Sequence, residues 1–159
     1  MIARLIAIVA VLCCLTREAH AIADCSISTT AVSFGIYDPL SSAPVFSTGG
    51  VQVSCSLLGV VSLLVAYTIA LSSGSGSYAT RAMRTPSSAS SVMNYNLYTT
   101  SGYATIWGDG SSGTVTVSDG YLLGVGTTVR NYPIYGRIAP AQIVAPGNYT
   151  DAIIVTVTY

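Results

Sequence analysis

Charged side chains and the usual catalytic groups are scarce in this sequence. Only 8% of the 159 residues are charged, and lysine does not occur at all. The single glutamate and the single histidine, Glu18 and His20, both lie within the first 20 residues. The rest of the chain therefore lacks a histidine or lysine that could activate a serine nucleophile. We expect no enzyme activity and no catalytic residues.

The charge balance and the sparse metal ligands exclude other classes of protein. After residue 23, four arginines stand against five aspartates, a net charge of 4 − 5 = −1. Binding to nucleic acid needs a basic surface, so we expect none. The aspartates lack the spacing of a calcium loop, and two cysteines without histidine cannot complete a zinc site. A Gly-x-Gly-x-x-Gly match at 108–113 precedes a predicted strand rather than a helix, which indicates a turn and no bound cofactor.

Residues 1–23 have the pattern of a secretory signal peptide. Arg4 is followed by an apolar run from Leu5 to Leu15 and then by a polar segment that ends in small residues. Cleavage after Ala21 or Ala23 would start the mature chain at Ile22 or Asp24. The apolar run is too short to span a bilayer comfortably, so we expect no membrane span in the mature chain.

Removal of this leader would leave two of the four cysteines, Cys25 and Cys55. An export signal together with an even number of cysteines predicts a disulfide between them. Closing a loop of about 30 residues would stabilise the fold by roughly 3 to 4 kcal/mol in the chain-entropy model. The alternative is two free, buried thiols.

Residues 24–159 have the length of one domain, and no stretch shows the apolar spacing of a helix. Short β-branched and aromatic runs instead alternate with Gly, Pro, Asn and Asp turns. We predict an all-β, immunoglobulin-like β-sandwich of about seven strands. The strands are predicted at 25–34, 51–55, 63–71, 92–98, 114–117, 127–138 and 149–159. The segment around 81–83 is predicted as part of a loop, and Asp119-Gly120 as a turn.

The predicted last strand is the main candidate for an interaction site. Four side chains fall on one of its faces at a period of two, Ile153, Val155, Val157 and Tyr159, while Thr156 and Thr158 fall on the other. Such a half-buried strand normally sits inside a sheet, yet no further strand follows it in the sequence. We therefore expect its open side to pair with another polypeptide, because unpaired backbone groups along an apolar strand invite pairing.

Several short motifs, taken in order, resemble a known family, the spore coat protein U domain, which is similar to the subunits of archaic chaperone–usher pili. The resemblance covers nearly all of 24–159. Its motifs are Cys25 and Cys55 flanking Phe34-Gly-Ile-Tyr-Asp38, then Arg81-Ala-Met83, Tyr95-Asn-Leu-Tyr98, Trp107-Gly-Asp-Gly110, Tyr135-Gly-Arg-Ile138 with Gln142, Gly147-Asn-Tyr-Thr-Asp151 and Val155-Thr-Val-Thr-Tyr159.

The resemblance implies an immunoglobulin-like sandwich that lacks its final strand. In the pili, a periplasmic chaperone lends that strand during export, and the N-terminal extension of the next subunit replaces it in the fibre. The partners implied here are that chaperone, an outer-membrane usher and other pilus or coat subunits, joined by β-strand addition. The implied acceptor groove is lined by Ile153, Val155, Val157 and Tyr159 with part of the first strand. The implied location is the cell surface, a pilus or the medium, reached through the periplasm.

One feature departs from the rod subunits of these pili, which carry an alternating apolar extension before the first cysteine. Here only Ile22-Ala-Asp24 would precede Cys25, and three residues cannot form a donor strand. The pattern favours a terminal (tip) subunit or a coat protein. An alternative function is a secreted module that binds a carbohydrate or a surface through its loops.

Overall fold

The computed structural model describes residues 23–58 and 62–159, so the predicted leader lies outside the described residues except for Ala23. Within that part the chain forms eight strands and no helix. A membrane-crossing helix is accordingly not found there. The strands are β1 Ala23–Thr30, β2 Val45–Leu57, β3 Leu63–Leu71, β4 Arg81–Thr85, β5 Ser88–Tyr98, β6 Val117–Leu123, β7 Gly126–Ile138 and β8 Val155–Thr158.

The strands form two antiparallel sheets that pack face to face. The larger sheet has the order β1-β2-β7-β5-β4, and the smaller has the order β6-β3-β8. Side chains that alternate along each strand fill the space between the sheets, as Val51, Val53 and Cys55 do on β2, with at most 1% exposure each. The predicted all-β, immunoglobulin-like sandwich is confirmed.

The predicted disulfide joins the first two strands. Cys25 and Cys55 are register partners on β1 and β2 and are bonded through their sulfur atoms. The Cys55 side chain is fully buried, so the covalent link lies on the inner side of the larger sheet.

A buried arginine connects the two sheets near one end. Arg81 on β4 has no exposed surface, yet its guanidinium donates to the carbonyl of Ser72 (3.1 and 2.9 Å), the carbonyl of Trp107 (2.7 Å) and Asn96 Oδ1 (2.6 Å). Burial lowers the pKa of Arg81 by penalising its charged form. Carbonyl acceptors satisfy the guanidinium in the interior, where an unpaired charge would be costly.

Three strand predictions need correction. The region predicted as a loop around 81–83 is strand β4, whose residues are almost all buried. Asp119-Gly120 is not a turn, because Gly120 lies opposite Ala66 inside the β3–β6 ladder. The Asp119 carboxylate accepts a hydrogen bond from the Tyr132 hydroxyl. Residues 114–116 precede β6 and form only an isolated bridge, between Val115 and Trp107. The Thr114 hydroxyl donates to the carbonyl of Ser111 at 2.7 Å.

The first and last strands are also shorter than predicted. The first strand stops at Thr30, and residues 31–37 continue without regular pairing. The last strand forms a ladder only over Val155–Thr158 instead of 149–159. These two irregular stretches face each other across the cavity described next.

Candidate functional site

A cavity of about 980 Å³ opens between the two sheets. Ligand pockets in proteins are typically about 300 to 1,000 Å³, so this cavity is large enough to be a binding site. Its floor belongs to the larger sheet and is entirely apolar apart from one tyrosine hydroxyl. The floor side chains are Met83, Met93, Tyr95, Leu97, Ile134 and Ile138, with 1–8% exposure.

The first wall of this groove is the segment 31–37. Two glycines of the larger sheet bring it close: a Cβ at Gly49 would meet the carbonyl oxygen of Thr30 at 2.5 Å, and one at Gly136 would meet Val32 Cγ1 at 2.5 Å. The Ser47 hydroxyl also donates to the carbonyl of Ser33 at 2.6 Å. Within the described residues, 31–37 makes no backbone-to-backbone hydrogen bond. Apart from the Ser33 carbonyl, the peptide groups of this segment have no hydrogen-bond partner in 23–58 and 62–159.

Tyr37 fixes the far end of the first wall. Its hydroxyl accepts a hydrogen bond from the backbone amide of Gln142 at 2.7 Å and donates one to the carbonyl of Ala139 at 3.2 Å. The Gln142 side chain in turn pairs with the backbone of Asn94, accepting at 2.7 Å and donating at 2.8 Å. Two motif residues of the sequence, Tyr37 and Gln142, thus anchor the wall to the larger sheet.

The second wall is the segment 149–155, which leads into the first residue of β8. Asp151 holds its beginning, because Oδ1 accepts from the amide (2.9 Å) and hydroxyl (2.8 Å) of Ser75, and Oδ2 accepts from the Tyr95 hydroxyl at 2.8 Å. Burial, followed by the hydrogen bond to Asp151, raises the pKa of Tyr95 above its ordinary value. Tyr95 therefore remains a donor, and the carboxylate ties the wall to the floor.

Only every second residue along the β8 side of the second wall forms backbone hydrogen bonds with β3. The Ser72 amide donates to the carbonyl of Ile154 at 3.0 Å, and β3 and β8 continue in antiparallel register from Leu71↔Val155 to Thr68↔Thr158. Peptide groups of alternate residues point to opposite sides of a strand. Those of 154, 156 and 158 consequently face β3, while those of Ile153, Val155 and Val157 point away from β3. Of these three residues, Ile153 and Val155 line the groove.

The structure places the four predicted site residues differently. Ile153 and Val155 line the cavity. Val157 packs against the core but is not among the lining residues. Tyr159 is 61% exposed, and its ring centroid lies 5.9 Å from that of Tyr67, away from the cavity. Of these four, the structure therefore brings two together at the groove.

The floor residues were not identified as site residues from the sequence. The alternation of Met93, Tyr95 and Leu97 indicates a buried strand face, but it does not indicate which part of that face remains uncovered. As for other chemistry, no cluster of three or more potential metal ligands occurs in 23–58 and 62–159. The groove is suited to binding a β-strand, because it offers backbone donors and acceptors beside an apolar floor.

Comparison with known proteins gives a family, a relative and a structural neighbour. The family model described as the Spore Coat Protein U domain matches residues 11–156. Protein U of Myxococcus xanthus is 31% identical over 145 residues, which cover 85% of this chain and 77% of that protein.

The structural neighbour is a chain in the crystal structure of a chaperone–tip adhesion subunit pre-assembly complex from the archaic chaperone–usher Csu pili of Acinetobacter baumannii. The TM-score is 0.52 at 23% identity, and the match covers 87% of this chain. This chain spans 40% of that neighbour's length. The likeness supports the sandwich fold.

Adding a side chain at Gly136 should displace the first wall. In Gly136→Ala the new Cβ would lie 2.5 Å from Val32 Cγ1 and 2.7 Å from Phe34 Cζ. We expect a loss of about 1 to 3 kcal/mol in the free energy of unfolding, the usual cost of overpacking, measured by thermal denaturation. Gly50→Ala is the matched control, since its Cβ would meet only the Tyr132 carbonyl at 3.6 Å. Equal midpoints for the two variants would contradict this view of the wall.

Proposed function

The chain belongs to the Spore Coat Protein U domain family, and from that premise we propose that it is an exported structural subunit of a surface pilus or coat. In this proposal its groove accepts a β-strand from another polypeptide. The role is one of assembly rather than catalysis.

One observation carries the proposal: both walls of the groove present unpaired backbone beside an apolar floor. The peptide groups of Ile153 and Val155, which line the cavity on one side, point away from β3, and 31–37, which makes no backbone-to-backbone hydrogen bond within the described residues, lines the other side. Hydrogen-bonded strands lie about 4.8 Å apart, so a single inserted strand can pair with both walls when they are about two such spacings apart. It would also place alternate side chains on the floor, as in β-strand addition.

The partners that fit this role are a periplasmic chaperone, an outer-membrane usher and other pilus or coat subunits. Support comes from the structural neighbour, which comes from a complex of a chaperone with a tip adhesion subunit. We propose that the chaperone supplies the first strand in the periplasm and that a second subunit supplies the lasting one at the cell surface. A terminal position in the fibre is the finer form of this proposal.

A donor strand should stabilise the exported chain strongly. We expect a synthetic peptide of about eight residues with apolar residues at alternate positions to raise the thermal midpoint. Binding to the folded state alone gives about 2.7 kcal/mol at 100 times the dissociation constant, or on the order of 10 °C for a domain of this size. Val155→Asp should abolish the gain, because the carboxylate would face the apolar floor without a partner.

Thr156→Asp is the matched control, because Thr156 lies on the opposite face of β8 and is exposed. This variant should keep most of the stabilisation by the peptide. If the wild-type chain is stable and monomeric, and neither a peptide nor a chaperone moves its midpoint, strand-complemented assembly is the wrong function.

The proposal includes removal of residues 1–23 as a signal peptide during export. N-terminal sequencing of the exported protein should begin at Ile22 or Asp24. A start well upstream would leave part of the apolar leader attached to the mature chain, where it could serve as a donor strand, and the assignment of 24–159 as the exported domain would be wrong.

A further inference from the structure

We infer that Met83 and Met93 make one end of the groove adaptable, so that it accepts donor strands whose side chains at that end differ in size. This inference depends on the proposed function, because it concerns how the groove chooses its donor. It assigns the selection of donor side chains to two residues of the floor.

The two methionines are placed together. The 159-residue sequence has three methionines, of which Met1 is the first residue of the predicted leader. Met83 and Met93 are register partners across β4 and β5, are 8% and 6% exposed, and both line the cavity. Side chains that are directly opposite in an antiparallel pair lie side by side on one face of the sheet. The floor therefore has a row formed by two thioether side chains.

The strand register places this row at one end of the floor. Gly136 lies opposite Leu97, and Ile138 lies opposite Tyr95, where β7 ends. Met93 lies two residues before Tyr95 on β5, and Met83 lies opposite Met93 on β4. The methionine row consequently lies beyond the end of β7, at the opposite end of the floor from Ile134.

The neighbouring rows are much stiffer than the methionine row. The Tyr95 ring is held by an edge contact with Phe34, at a centroid distance of 5.9 Å, and by its 2.8 Å hydrogen bond to Asp151. Ile134 and Ile138 are β-branched, which restricts their first side-chain torsion. Methionine is unbranched with several rotatable bonds and a polarizable sulfur, so it fills irregular spaces around different neighbours.

Most of the floor is therefore selective for the size of donor side chains, and the end with Met83 and Met93 tolerates different sizes. Donor side chains above Tyr95, Ile134 and Ile138 meet side chains whose torsions are restricted. Those above Met83 and Met93 meet a surface that can repack. Flexible, methionine-rich surfaces are a general means of binding several partners at one site. A subunit that must accept first one donor strand and then another is served by such an end.

The test uses the exported chain and synthetic peptides of one fixed sequence with apolar residues at alternate positions. Each apolar position, which would face the floor of the groove, is varied in turn among Ala, Val, Leu and Phe. The dissociation constant of each peptide is then measured. In the wild type, one terminal position should tolerate all four residues within about threefold, while the other positions should vary by about tenfold or more. The double variant Met83→Leu/Met93→Leu, which nearly conserves volume, should lose the tolerance at that position. Leu97→Met is the reciprocal control and should increase tolerance at an inner position.

A second measurement reports repacking directly. Removal of the leader leaves two methionine methyl groups, so carbon-13 labelling of these methyls should give two resonances. Both should shift between the Ala and Leu peptides at the tolerant position, a comparison that adds no aromatic ring beside the methyl groups. This inference is wrong if the Leu double variant keeps the wild-type tolerance, or if each methyl resonance has the same chemical shift in the two complexes. Either result leaves the proposed function unaffected. If no peptide binds the wild type, the proposed function itself is wrong.

Discussion

The half-used hydrogen bonding of the last strand is the constraint on which the rest of the structure depends. β8 pairs with β3 on one side, while the peptide groups of Ile153, Val155 and Val157 point away from β3, and the first two of these residues line a cavity. Buried backbone groups in folded proteins are almost always paired, and long unpaired edges promote association. The other features of the site, including the first wall, the apolar floor and the anchoring side chains, define the shape of the strand that would satisfy these groups.

Satisfied polar contacts hold this unfinished edge in place. Asp151 ties the second wall to Tyr95, and the Tyr37 hydroxyl ties the first wall to the loop after β7. Arg81 joins the carbonyls of Ser72 and Trp107 behind the second wall, and the Cys25–Cys55 disulfide secures the start of the first strand. Because these contacts do not involve the peptide groups along the groove, they position the walls independently of any bound strand. In the proposed function, such preorganisation would reduce the entropy lost when a strand binds.

The sequence allowed the fold class to be predicted because alternation and turn residues are local signals. The two faces of the last strand followed from an equally local alternation, whereas the disulfide followed from the export signal and the even number of cysteines. β4 was missed because Arg81 is typical of an exposed segment in a Ser- and Gly-rich stretch, and carbonyls distant in sequence are what allow its burial. The floor could not be predicted, since Met93, Tyr95 and Leu97 have the pattern of any buried strand face. Which buried face remains without a neighbouring strand is a property of the whole fold.

Hydrogen exchange of single backbone amides in the last strand tests the central claim most directly. In the exported chain without a donor, the amides of Ile153, Val155 and Val157 should exchange fast, while those of Thr156 and Thr158, which face β3, should be protected. Addition of a donor strand should slow the first set and leave the second nearly unchanged. Protection of Ile153, Val155 and Val157 in the lone monomer would show that the edge is already paired and would contradict the account.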